Sequence, residues 1–346
     1  MKGASLRYLV AGGGGFIGSH LVDTLIDAGH SVVVVDNFLT GQAVNLRHLE
    51  GFDQFRLVRA DISEPLPEEA TAEPYDRVYH LASPASPVGY RRFPLETLEV
   101  NSTGTRRLLD LAKRDNARFL FASTSEAYGD PLVHPQPETY WGNVNPIGWR
   151  SCYDEGKRFA ESLTVTFGDV HGLDVRIARI FNTYGPRSAL NDGRVIPNFC
   201  VQALRGLPIT IYGTGDQTRS LCYVDDLVKG LHLLMEIDGL SGEVVNLGNP
   251  QEVTVLQIAE VIRELAESDS PLEHRPLPQD DPARRKPDIA KAIRLLDWSP
   301  AVELTLGMTR TLAYFRDELT KAGEIGVPPA GSHQASDLIA NLGTRQ

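Results

Sequence analysis

The run Gly12-Gly13-Gly14-Gly15-Phe16-Ile17-Gly18 stands between an apolar stretch at 6–11 and an apolar segment at 19–28 that Gly29 ends. Ser31-Val32-Val33-Val34-Val35 follows and stops at Asp36. A short apolar run bounded by glycine reads as a buried strand, and a longer one closed by glycine reads as a helix. Strand, glycine turn, helix, strand and acid in this order leave few folds open. They make the first β-α-β unit of a doubly wound parallel sheet. The glycines let the backbone turn tightly and approach a pyrophosphate, which the helix N-terminus then favours. Four consecutive glycines leave the register open: Gly12, Gly15 and Gly18 fit one spacing, Gly13, Gly15 and Gly18 another. The Asp36 carboxylate can accept hydrogen bonds from adenine ribose hydroxyls and would repel a 2′-phosphate. Residues 37–41 hold no arginine to receive one, so the expected cofactor is NAD rather than NADP.

The alternation continues along the chain. Strands are expected at 56–60, 77–82, 118–122 and 174–180, and helices at 95–114 and 151–167. Each strand delivers a loop to the carboxyl edge of the sheet, where open α/β sheets bind ligands. Beyond Gly185 the elements shorten, with strands at 209–212 and 244–247 and helices at 224–235, 256–267 and 290–296. The expected class is α/β, a Rossmann-type doubly wound parallel sheet with a smaller α/β C-terminal domain. The larger domain is read as 1–184 with 222–250 returning to it, the smaller as 185–221 with 251–320. Residues 321–346, polar and punctuated by glycine and proline, read as a flexible tail.

Tyr153 and Lys157 lie four residues apart, about one helical turn, and so share a helix face. A phenol titrates near about 10, too high for a good base. An adjacent ammonium favours the phenolate. The pair suits an enzyme that takes a proton from a hydroxyl while a hydride leaves the same carbon; alone, it also suits any amphipathic surface helix.

A net charge of −11 argues against a nucleic-acid partner and against an anionic membrane surface. Cys152, Cys200 and Cys222 are odd in number and lack metal-ligand spacing, which leads us to expect reduced thiols, a cytoplasmic location and no metal. No apolar stretch approaches a membrane span, and the strand beginning at Leu6 leaves no leader to be expected.

Over 6–315 the chain resembles the extended short-chain dehydrogenase/reductases. The glycine run, Asp36, Asp61 and Tyr153 with Lys157 carry the general likeness. Four further segments resemble the branch that decarboxylates UDP-glucuronate. They are His80-Leu81-Ala82-Ser83-Pro84-Ala85-Ser86-Pro87, the run from Ser123-Thr124-Ser125-Glu126 to Pro131, the run from Glu138 through Tyr140-Trp141-Gly142-Asn143-Val144-Asn145-Pro146 to Lys157, and Arg285-Lys286-Pro287-Asp288. Ala11 departs from the family, which usually has threonine before the first glycine.

The resemblance implies a redox loop with no net oxidation. Tyr153 takes the 4-hydroxyl proton as NAD takes the C4 hydride. The 4-ketone so formed lies β to the C6 carboxylate, so CO₂ leaves an enolate rather than a bare carbanion. C5 is then protonated and the hydride returns. The likeness makes Thr124, Glu126, Tyr153 and Lys157 catalytic, with Thr124 on the 4-oxygen. It puts Gly12, Gly15, Phe16, Ile17, Gly18, Asp36, Asn37, Thr40, Gly41, Asp61, Ile62, Leu81, Ser83, Asn101 and Thr183, with Tyr153 and Lys157, around NAD. It puts Ser125, Asn182, Arg194, Tyr212, Gln217, Arg219 and Arg285 around a UDP-sugar. Among these Asn182, Arg219 and Arg285 are expected at the diphosphate and Tyr212 at the uracil. Ser125 separates the chain from 4,6-dehydratases, which carry an aspartate there. Glu126, beside a substrate carboxylate, makes a like-charge pair that should raise a carboxyl pKa, and it is expected to crowd that carboxylate toward departure or to order the water or proton needed at C5. Tyr90, Arg91 and Arg92 are placed on a loop near the glucuronate. A homodimer through the helices at 95 and 151 is also implied. The alternatives are a UDP-hexuronate 4-epimerase or another NAD-dependent nucleotide-sugar epimerase or dehydratase, and a catalytically silent NAD(H) sensor.

Overall fold

The runs of valine, leucine and phenylalanine in four strands are buried from end to end, as a parallel sheet covered on both faces requires. These are β1 (Arg7–Ala11), β2 (Ser31–Val35), β4 (Arg77–His80) and β5 (Arg118–Thr124). With β3 (Phe55–Val58), β6 (Val175–Ile180) and the strand Val244–Leu247 they form one seven-stranded sheet. Its order is Val244–Leu247, β6, β5, β4, β1, β2, β3, and every pairing is parallel. The order reverses between β1 and β4, the switch point at which such sheets bind dinucleotides. The α/β class expected from the sequence is therefore the one observed. The computed structural model describes residues 5–276 and 285–326.

The chain divides into two units. Unit 1 comprises 1–183, 219–252 and 282–300, and unit 2 comprises 184–218, 253–281 and 301–346. Unit 1 holds the sheet and the helices α1 (Phe16–Asp27), α2 (Pro87–Arg92), α3 (Pro94–Glu99), α4 (Thr105–Asp115) and α5 (Ser151–His171). Its core runs from Leu9, Val33 and Val78 through Leu108 and Phe119 to Ala160 and Ile177. Removing Phe119 to alanine there would cost about 3–5 kcal/mol in transfer and cavity terms. The buried Arg176 donates to the carbonyls of Leu234 and Met235 (3.0 Å) and of Ile237 (2.6 Å), tying β6 to the end of the helix Val224–Glu236.

The structure changes several expectations. The helix read over 95–114 is α3 and α4 joined by a π-helical turn at Val100–Gly104. The fifth strand continues through Thr124, so Ser123 and Thr124 are strand residues rather than loop residues. The helix Ala290–Leu296, read as part of the smaller domain, packs on Val244–Leu247 and Val224–Glu236 within unit 1. Unit 2 contains two helices that the sequence reading did not contain, Val195–Leu204 and Leu304–Lys321. They pack with Val255–Leu265, next to the parallel pair Ile209–Tyr212 and Leu272–Arg275. The flexible tail expected from residue 321 falls, from 327 onward, outside the described residues.

Candidate active site

At the carboxyl end of β1 the glycine turn is shaped by close approach. Gly12 adopts φ +83°, and a Cβ there would stand 2.6 Å from the Ala82 amide nitrogen. A Cβ on Gly18 would stand 2.2 Å from the Gly12 carbonyl oxygen, so only glycine lets α1 lie this close to the turn. Gly15 precedes α1 as its N-cap, and no side chain caps the helix. Its first amides and positive dipole end are thus available to an anion such as a pyrophosphate. Asp36, at the end of β2, accepts from the Gly14 amide at 2.8 Å and the Phe38 amide at 2.7 Å. Burial pushes its carboxyl up while those two amides oppose the rise. Gly41 lies against it, where a Cβ would come within 3.2 Å of both carboxylate oxygens.

The neighbouring residues are each held by local hydrogen bonds and make up a rim. Asn37 donates to Asp61 at 2.8 Å, and Asp61 accepts from the Ser63 amide at 2.8 Å. The Leu81 amide donates to the Ala11 carbonyl at 2.8 Å. Asn101, in the π-helical turn, donates to Ser83 Oγ at 2.9 Å and to the Thr97 carbonyl at 2.8 Å. Ile62 is buried and would meet a Cβ on Gly104 at 2.9 Å, so glycine at this turn lets it close. Thr183 lies just past β6 and donates to the Phe181 carbonyl. These residues, with the uncapped α1, fit a dinucleotide.

Beyond the rim, β5 and α5 carry the reactive groups. Both Tyr153 and Lys157 are buried, and Lys157 Nζ donates to the Ala122 carbonyl at 2.9 Å. That nitrogen lies 5.9 Å from the centroid of the Tyr153 ring and 4.6 Å from that of Phe121. Burial pushes the amine down to about 7, with Glu161 pulling the other way. An ammonium in this place needs a nearby anion, and a Tyr153 phenolate is one. Tyr90 stacks on Tyr153, with ring centroids 5.1 Å apart and planes 9° from parallel. Thr124 Oγ1 accepts from the Glu126 amide at 3.2 Å, which leaves the hydroxyl proton free to be donated.

Glu126 is gripped by two arginines. Arg285 forks onto both carboxylate oxygens, at 2.8 Å for Nη2 to Oε2, and Arg150 Nη2 donates to Oε1 at 3.1 Å. Burial alone would raise this carboxyl, but the charges of Arg285, Arg150 and Arg219 outweigh it and the net direction is down. The charges that this chain itself sets against Glu126 are cations; the rise expected of a like-charge pair concerns a substrate carboxylate. Arg285, expected at a diphosphate, is held on Glu126 near the end of β5. Ser125 is buried beside it. Asn182 receives the Cys222 amide on its carbonyl at 2.9 Å. In unit 2, Arg194 is paired with Asp192 at 2.8 Å, and Gln217 donates to the Tyr212 carbonyl at 2.7 Å.

Sequence reasoning missed Arg150 and Asp154 and misplaced Tyr90. The segment from Pro87 to Arg92 is a short helix, α2, capped by Ser86 through the Gly89 amide at 3.1 Å, rather than a loop. Arg91 lies 3.9 Å over the Trp149 ring and Arg92 5.1 Å over the Phe93 ring, so neither is a loose cation. The spacing of Arg150, at the N-cap of α5, with Tyr153, Asp154 and Lys157 on that helix was the available signal for the two missed residues.

A parallel sheet with an uncapped helix at its switch point, and a tyrosine-lysine pair on its carboxyl edge, define an NAD-dependent enzyme acting at a hydroxyl-bearing carbon. The sequence pattern of the NAD dependent epimerase/dehydratase family matches residues 8–248, and the chain belongs to that family. Its relatives include UDP-glucuronic acid decarboxylase 1 of Arabidopsis thaliana, 53% identical over 319 residues that cover 92% of this chain and 72% of the relative. The enzyme of the same name from Xenopus tropicalis is 53% identical, covering 90% of this chain and 73% of the relative. Among solved structures, a UDP-glucose 4-epimerase from Thermotoga maritima superposes with a TM-score of 0.82 at 33% identity, covering 91% of this chain and all of that one (100%). A UDP-glucuronic acid 4-epimerase from Bacillus cereus, solved with UDP-glucuronic acid and NAD, gives 0.81 at 28% identity, covering 90% and 100%.

Proposed function

We infer that this enzyme converts UDP-glucuronate to UDP-xylose and CO₂. The observation that carries the reading is the Glu126–Arg285–Arg150 cluster beside Tyr153, Lys157 and Thr124. Carboxylate-binding cations thus stand next to a centre that can oxidise an alcohol. NAD, when bound, takes the hydride from sugar C4 and later returns it. Tyr153 holds the proton of the 4-hydroxyl while the 4-ketone exists, and Thr124 donates to the 4-oxygen. Lys157 offsets the charge on Tyr153. The two guanidiniums orient the C6 carboxylate through forked donors, with Glu126 sharing them so that the carboxylate is bound but never fully neutralised. Departure of CO₂ then relieves the repulsion from Glu126. Asp36, Asp61, Asn101, Ser83 and the glycine turn hold the cofactor; Asn182, Arg194, Tyr212, Gln217 and Arg219 bind the UDP portion. Sequence similarity favours this reading over the epimerase, since decarboxylases reach 53% identity and the B. cereus epimerase 28%.

We further propose that the enzyme is a homodimer that works in the cytosol. The described cysteines are all free thiols, and no described helix is long and apolar enough to cross a membrane. Incubation with UDP-glucuronate, followed by mass spectrometry of the nucleotide and trapping of CO₂, tests the activity. UDP-pentose with stoichiometric CO₂ is the expected result. An epimerised UDP-hexuronate without CO₂ would move the enzyme to the runner-up class.

A further inference from the structure

We propose that the carboxyl group of Asp154 stores the proton that each turnover places on sugar C5. The proposal rests on the decarboxylase reading. When CO₂ leaves, the C5–C6 bond breaks and its electron pair remains as an enolate conjugated with the 4-ketone. A C5–H bond must then form, so each cycle converts R–COO⁻ and one proton to R–H and CO₂. Tyr153 cannot be the net source, because it gains a proton in the oxidation and gives it back in the reduction. Glu126 is held as a carboxylate by Arg285 and Arg150. Arginine does not release protons in this range.

Asp154 remains. It lies one residue beyond Tyr153 in the first turn of α5, directly above Arg150, whose carbonyl accepts its amide at 3.1 Å. Its side chain is more than nine-tenths buried, and Oδ1 has no hydrogen-bond partner. The groups that face it are Glu126 after β5, Arg150 before α5, Arg285, Tyr90 on α2, and Cys152 and Glu155 on its own helix. An acid in a first helical turn is often there only to suit the helix dipole, a role that exposure would serve as well. Burial without a partner instead favours the protonated form. Burial first, then the charge of Glu126, push this carboxyl up to about 7, against the pull of Arg150 and Arg285. In the step itself the proton leaves the Asp154 oxygen, whose electron pair stays behind as a carboxylate faced by two guanidiniums. The enolate pair forms the C5–H bond, and solvent reprotonates Asp154 between turnovers.

The test is single-turnover absorbance of reduced nicotinamide in the NAD-loaded enzyme mixed with UDP-glucuronate. Its rise reports C4 oxidation, and its decay requires a protonated C5. In Asp154→Asn the rise should keep its wild-type rate and pH dependence while the decay slows by about ten- to a hundredfold. The wild-type decay should slow as pH climbs above about 7, and D154N should lose that limb. Lys157 also titrates near there, but it acts on the rise and the decay alike, so their ratio isolates Asp154. A D154N enzyme with wild-type decay, or one in which both phases fall together, overturns the proposal. If D154N does not fold, a wild-type decay-to-rise ratio that is flat between about pH 6 and pH 9 overturns it equally. Absence of CO₂ from the wild type would sink the decarboxylase reading and this inference with it. CO₂ from the wild type beside an unaltered D154N sinks this inference alone.

Discussion

At the scale of single residues the site is a problem of buried charge. Glu126 and Lys157 have opposite solutions. Glu126 keeps its charge because two guanidiniums surround it, whereas Lys157 has one neutral carbonyl, the Phe121 and Tyr153 rings, and a pull from Glu161 that burial outweighs. Glu126→Gln keeps the shape but removes the charge that crowds the departing carboxylate. Reduced nicotinamide should form at near the wild-type rate while CO₂ release falls by about a hundredfold. Equal loss of both steps would show that Glu126 only holds the sugar. For Lys157 the sign follows from linkage. The unfolded chain keeps this proton up to about pH 10, the folded one releases it near about 7, and stability therefore rises with pH across that window. Lys157→Met in the ligand-free protein removes the penalty of the buried ammonium, less about 1 kcal/mol for the lost bond to Ala122. Its melting temperature should exceed wild type by about 2–4 °C at pH 6, with the gain narrowing by pH 9, while turnover is lost. A lower melting point at both pH values would mean the lysine is stabilised by something other than its ligands.

At the scale of elements, legibility followed periodicity. The strand-glycine-helix-strand unit and the strand Val244–Leu247 were readable because an apolar run of four or five residues between turn residues has one sensible conformation. The helix Val195–Leu204 was hidden by Pro197, which belongs to its first turn, where proline costs nothing. The π-helical turn at Val100–Gly104 was invisible because its cause is non-local: Asn101 reaches Ser83 and Thr105 reaches His80, contacts no local spacing announces. The same limit applied to the site. Tyr153 with Lys157 could be read from one helix face, but the pairing of Arg285 with Glu126 joins residues 159 apart in sequence. The glycine turn offers a clean test at this scale. Gly18→Ala would drive a methyl group into the Gly12 carbonyl, so α1 must move off β1 at a cost of about 1–3 kcal/mol. Calorimetric titration should show NAD affinity reduced at least tenfold with the circular dichroism spectrum retained. Unchanged affinity would mean that the turn does not carry the pyrophosphate.

At the scale of the whole molecule, the chain leaves unit 1 after Thr183 and comes back to it twice, at Arg219 and at Pro282, so neither unit is a contiguous stretch of sequence. Local pattern cannot reveal such weaving, and for this reason Ala290–Leu296 was assigned to the wrong body. Unit 1 also leaves apolar side chains exposed on two helices that pack together. Leu95 is 68% exposed and Leu98 40% on α3, and Phe159 is 53% exposed on α5, the helix against which α3 packs. Single exposed apolar residues are ordinary, but three on two packed helices are what the proposed dimer would cover. In the proposed dimer, a two-fold axis would set these two helices against the same pair of the second copy as a self-complementary four-helix layer. A stable contact of this kind buries at least about 1,000 Å² and is centred on its apolar anchors. Light scattering should therefore give twice the 38.0 kDa chain mass for the wild type. Placing a charge on the most exposed of the three, Leu95→Glu, should yield the single-chain mass with NAD binding retained, because Leu95 is turned to the surface of α3. A wild type that runs as a monomer at micromolar concentration would remove the dimer without touching the chemistry, since every reactive group assigned here (Thr124, Glu126, Tyr153, Asp154, Lys157 and Arg285) belongs to one copy of unit 1.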